Sequence, residues 1–100
     1  MIAPESPNIG IWGERRRLFL RDHRRPVYSS LLMTGKLNAH LEEVDQSASE
    51  MAERLTAQLA EREHVTEALK AEDQVAWVQA MNSIRSRVEE IVRRELVEVD

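Results

Sequence analysis

Six arginines and one histidine fall within GERRRLFLRDHRRPVY, residues 13–28, of a chain whose formal net charge is −4. Arg15, Arg16, Arg17, Arg21, Arg24 and Arg25, with Lys36 further on, are the residue types that neutralise phosphates. A cluster of them is the electrostatic footprint of nucleic-acid contact. Two short helices around Pro26 would also have the outline of a helix-turn-helix, whose second helix enters the major groove. That second segment, PVYSSLLMTGK, offers Ser29, Ser30, Thr34 and Lys36 but no Asn, Gln or Arg for bidentate base readout. Phosphate contact is therefore better supported than sequence reading. A competitor exists inside the molecule, because residues 1–36 carry seven Lys/Arg against three Asp/Glu while residues 37–100 carry seven against fifteen. The arginines face either nucleic acid or the carboxylates of the acidic part, in the same chain or in a partner copy.

Other chemistry finds less support. Glu61 and His64 form one E-x-x-H, but a carboxylate di-metal bundle needs a second such motif, and Leu37 and Leu20 stand three before His40 and His23. His40 with Glu43 reads as an ordinary surface pair on a helix. Tyr28 amid arginines has the residue type of a strand-transfer nucleophile, but such enzymes need a much larger catalytic domain, so an anchoring role at the helix junction is expected. No serine sits in a Gly-bounded elbow, no Gly-rich loop could cradle phosphates, and there is no cysteine. A non-enzymatic protein without cofactor, metal or small-molecule substrate is expected.

These residues need helices to hold them. Three Gly, three Pro, four aromatics and 32% charged residues, with much Ala, Glu, Arg and Leu, point to an all-α chain. Residues 1–12, with Pro4, Pro7 and Gly10, read as a flexible N-terminal arm pinned by Ile11 and Trp12, and residues 13–100 as a single helical domain. A first helix is expected over 14–24, with Leu18, Phe19 and Leu20 on its apolar side and Arg17, Arg21 and Arg24 on its charged side. Pro26 suits the first turn of a second helix through Thr34, which Gly35 ends in the left-handed conformation. From Leu37 the apolar positions Leu41, Val44, Ala48, Met51, Leu55 and Leu59 step by fours and threes, a heptad seam over about 26 residues.

REHVTE interrupts this seam, and Thr66 with Glu67 looks like a fresh N-cap. A last helix to about Val97 carries the stripe Trp77, Met81, Ile84, Val88, Ile91 and Val92, with Asp73 a kink or a restart. The expected architecture is an antiparallel hairpin of two long helices with two short N-terminal helices packed at one end. So thin a hairpin predicts a homodimer or a protein partner. The acidic outer faces, with Glu42, Glu43, Glu50, Glu53, Glu89 and Glu90, read as solvated. The opening MIAPESPNIG has no basic leader, and no run of eighteen apolar residues occurs, so a soluble, cytoplasmic protein with no membrane contact is expected.

The strings RRRLFLRDHRRPVY, LLMTGKLNAHLEEVD and VTEALKAEDQVAWVQAMNSIRSRVEEIV, with the spacing between them, resemble the TnpV family of small transposon-encoded proteins. The resemblance covers about residues 9–96. The family's G-K-L, H-L and acidic pattern stands here as Gly35, Lys36, Leu37, His40, Leu41 and Asp45. Its W-V-x-x-M-N-x-I-R string stands as Trp77, Val78, Met81, Asn82, Ile84 and Arg85. One departure is Arg25, inserted before Pro26 where members have H-R-P. The resemblance implies a mobile-element accessory protein, likened to excisionase-type DNA-binding proteins, with no assigned catalytic residues. It equally suits a protein-binding module, an acidic helical inhibitor or DNA mimic acting on a nuclease. A purely structural helical dimer, its arginines only bracing the bundle, is the third reading.

Overall fold

The computed structural model describes residues 9–99. Its elements are α1 (Ile11–His23), α2 (Arg25–Met33), α3 (Leu37–Arg62), α4 (Glu67–Glu72), α5 (Gln74–Val92) and a π-helical turn, Arg93–Val97. No strand occurs among the described residues. The all-helical expectation is met.

α3 spans 26 residues, and every position of its heptad seam turns inward: Leu37, Leu41 and Ala48 are buried, Val44, Met51, Leu55 and Leu59 half-buried. Against it α5 sets Met81, Ile84, Val88 and Val92, buried at i, i+3, i+4 spacing. Val65 and Val97 close this core from the connection and from the π-helical turn.

Helix boundaries follow local chemistry. α3 stops in a Schellman arrangement, with Val65 N–H donated to Ala60 O at 2.8 Å, His64 N–H to Glu61 O at 3.3 Å, and His64 at φ 59°. Thr66 then caps α4, accepting the Leu69 N–H at 3.2 Å, as its sequence position indicates. Asp73 is a restart: at φ −145° and ψ 88° it leaves the helical region, and its carboxylate accepts the Ala76 N–H at 3.1 Å to begin α5. Gly35 terminates α2 at φ 73°, with Lys36 N–H donated to Leu31 O at 2.9 Å.

Two boundaries differ from expectation, the start of α1 and the end of the last helix. α1 begins at Ile11 rather than Glu14, because Asp45 on α3 accepts the Gly13 N–H at 2.9 Å and caps the helix from a distant segment. α2 begins at Arg25 and keeps Pro26 in its first turn, as expected. The last helix does not stay α-helical to Val97, since Glu98 N–H reaches Arg93 O at 2.7 Å across a five-residue turn. This wider turn rotates Val97 into the core, where it is fully buried. Residues 1–8 of the expected N-terminal arm lie outside the described residues.

Candidate nucleic-acid interface

Three consecutive arginines of α1 meet three different environments, because successive helical residues point about 100° apart. Arg16 shares the buried stripe with Gly13 and Leu20 and is only 7% exposed. Its guanidinium donates to Val97 O at 3.0 Å and to Val99 O at 2.6 Å, and Nε donates to His40 Nε2 at 3.2 Å. It also lies 5.8 Å from the centre of the Phe19 ring. Arg15 reaches across to α5, where it pairs with Glu89 at 3.0 Å, and it stands over the Trp12 ring. Arg17 grips Glu14 on its own helix, Nε lying 3.1 Å from both carboxylate oxygens. The Glu14 carboxylate, helped by Tyr28, drives the Arg17 pKa further up, and the same contact lowers that of Glu14.

The remaining candidates gather elsewhere. Arg24, at φ −135° and ψ 52°, breaks the backbone between α1 and α2, so Arg21, Arg24 and Arg25 occupy the outside of a corner. Arg21 pairs with its neighbour Asp22 at 3.0 Å, an exposed contact, and Arg24 donates to the His23 carbonyl at 3.2 Å. Arg25 is exposed at the start of α2 and Lys36 is exposed beyond its end. Helix α2 has no buried residue, and Val27, Leu32 and Met33 are exposed. The seven cations singled out in the sequence thus divide into Arg15, Arg16 and Arg17, which brace α1, and Arg21, Arg24, Arg25 and Lys36, which fringe α2.

A cleft of about 520 Å³ opens beside this corner, lined by Leu18, Phe19, Asp22, His23, Arg24 and Glu98. Its two carboxylates, Asp22 and Glu98, disfavour an anion inside it, so the exposed cations lie on the outer rim of α1 and α2 rather than in the cleft. Tyr28 is half-buried and contributes to holding Arg17, which is the anchoring position expected of it. Glu61 and His64 stand on the turn that ends α3, and among the described residues no three metal-ligating side chains converge. No helix of the described residues is long and apolar enough to cross a membrane.

Two structural roles escape inspection by residue type. Asp45 serves α1 from 32 positions away, and the buried Arg16 looks like its exposed neighbours. The available signal is the spacing Gly13, Arg16, Leu20, whose steps of three and four define an inward stripe.

No curated protein and no solved structure matches the chain. The family model described as transposon-encoded protein TnpV matches residues 2–97, which includes all of α1 to α5 and the π-helical turn. The chain therefore belongs to the TnpV family of transposon-encoded proteins.

Proposed function

We propose that this protein is a non-enzymatic accessory factor of its transposon that grips DNA phosphates with the corner between α1 and α2. The observation that carries the reading is the position of Arg21, Arg24 and Arg25 at a backbone break, on the rim of a helix with no buried residue. Arg21's contact with Asp22 is solvent-exposed and screened by water, so a phosphate can replace the carboxylate at little cost. Lys36 extends the basic fringe to the far end of α2. Base readout plays little part, since α2 presents Ser29, Ser30 and Thr34 rather than bidentate side chains, and Thr34 Oγ1 already donates to Ser30 O at 2.9 Å. In this reading α3 and the later helices form an antiparallel hairpin, with α1 and α2 laid across one end as the contact module.

The test is a salt titration of binding to transposon-end duplex. Three or four phosphate contacts give a log K against log salt slope of about −3. Arg21→Glu with Arg25→Glu should flatten that slope, while Arg15→Glu should leave it nearly unchanged. Absence of binding at low salt overturns the proposal.

A second reading draws on the acidic side of α3, where Glu43, Glu50 and Glu53 are exposed at steps of seven and three residues, on one side of the helix. Such a row suits an inhibitor that mimics DNA. Neutralising these three glutamates would then abolish capture of a nuclease and leave DNA binding intact.

A further inference from the structure

We propose that the outer face of α5, from Gln74 to Arg85, is the surface on which two copies of this chain pair about a two-fold axis. The inference goes beyond the DNA reading and does not depend on it. Helix α5 commits one stripe to the core through Met81, Ile84, Val88 and Val92. On the exposed flank beside this stripe Val75, Val78, Asn82, Arg85 and Glu89 repeat at steps of three and four, and Val75 and Val78 are 67% and 41% exposed. Gln74, Val75, Val78 and Gln79 enclose an apolar hollow of about 300 Å³. That hollow is the groove between two ridges, Gln74–Val78 and Val75–Gln79, each running i to i+4. Such a groove accepts a ridge from another helix.

Charge selects the occupant. Glu72 and Asp73 are exposed at the start of α5, whereas Arg85, three turns later, is exposed and has no ion pair among the described residues. Antiparallel pairing centred on Val78 sets Arg85 of each copy beside Glu72 and Asp73 of the other, and Gln74 beside Asn82. A parallel pairing would stack like charges. The two-fold makes both favourable contacts at once, which is the self-complementarity an isologous interface needs. The face ends at Glu89, which Arg15 of α1 holds. Helix α2 makes no contact with α5, so both basic corners stay open in the pair. Two valines from each copy make a small apolar centre, which places the association at the weak, reversible end of protein interfaces.

The chain has no cysteine, which gives a direct test. Val78→Cys under mild oxidation should yield a covalent dimer, because a residue beside the axis meets its own copy within disulfide reach. Met33→Cys, on an 87% exposed side chain elsewhere, should not. In sedimentation, Val78→Glu should be monomeric where the unmodified chain dimerises. Arg85→Glu should weaken pairing about tenfold, and adding Glu72→Arg should restore it. A chain that stays monomeric up to millimolar concentration overturns the proposal. So does dimerisation indifferent to Val78→Glu, or cross-linking through Met33→Cys as readily as through Val78→Cys.

Discussion

The backbone N–H of Gly13 donates to Asp45 Oδ1 at 2.9 Å, so a carboxylate on α3 caps the first turn of α1. A Cβ at Gly13 would come within 2.7 Å of Ile9 Cβ and 3.1 Å of Asp45 Cβ, closer than packed carbons allow. Helix α1 therefore approaches α3 as near as its backbone permits. Asp45→Ala should cost about 1 kcal/mol through the lost cap and the lost charge at the helix N-terminus. Gly13→Ala should destabilise by about 1 to 3 kcal/mol through overpacking, offset in part by alanine's helix preference. Urea unfolding of both variants checks the pair, and a Gly13→Ala protein at least as stable as the parent would contradict the close approach.

Arg16 and Arg25 separate the bracing arginines from the surface ones. Arg16→Met removes the three charge-assisted bonds to Val97, Val99 and His40 and strands the buried Val97 carbonyl, so a loss of about 3 kcal/mol is expected. Lysine at this position should recover little, since an ammonium cannot reproduce the planar fork. Arg25→Ala should shift stability by no more than about 0.5 kcal/mol. Thermal melts of the three variants decide whether the basic run is one functional unit or two.

Acid should weaken the same junction before it touches the carboxylates. His40 Nε2 accepts from Arg16 Nε, so the imidazole is neutral in the fold. Burial first, and then the Arg16 charge, push its pKa below the ordinary 6.5, against a smaller opposing pull from Glu43. A histidine depressed in the folded state contributes stability that is complete above the unfolded value. That contribution fades as the pH falls through 6.5 towards the folded value. Glu14 and Glu63, both held low by arginines, add their own loss only below about pH 4.5. Melting temperature should therefore drop between pH 7 and 5, and His40→Gln should remove that slope while leaving the fall at lower pH.

His64 is the described non-glycine residue with positive φ, 59°, in the position after α3 that glycine favours. His64→Gly should stabilise the protein by about 1 kcal/mol. Gly35→Ala, at φ 73° with no atom within 4 Å of the added carbon, should cost about as much through backbone strain alone. A matched pair of denaturation curves measures both.

Much of this fold was legible because it repeats. The three-and-four steps from Leu37 to Leu59 are enough to identify the inward side of α3, and Gly35 and Thr66 mark their boundaries by residue chemistry alone. The start of α1 was not legible, since its cap comes from Asp45 across the fold rather than from a neighbour. The π-helical turn at Arg93–Val97 was equally hidden, because RRELV has ordinary helix formers and only packing selects the wider ladder. At the candidate interface the cluster itself was plain. Its division was not: residue type cannot distinguish Arg16 from Arg15 and Arg17, and only the register with Gly13 and Leu20 does so.

The Arg16 clamp also bears on how the chain comes off the ribosome. Its acceptors are the carbonyls of Val97 and Val99, 81 and 83 positions downstream. Until those residues have been synthesised, α1 can dock on α3 through the Asp45 cap, but its guanidinium has no site in which both carbonyl contacts are made. Burial of the Arg16 guanidinium therefore waits for Val97 and Val99, and a chain truncated before Val97 lacks this clamp on α1.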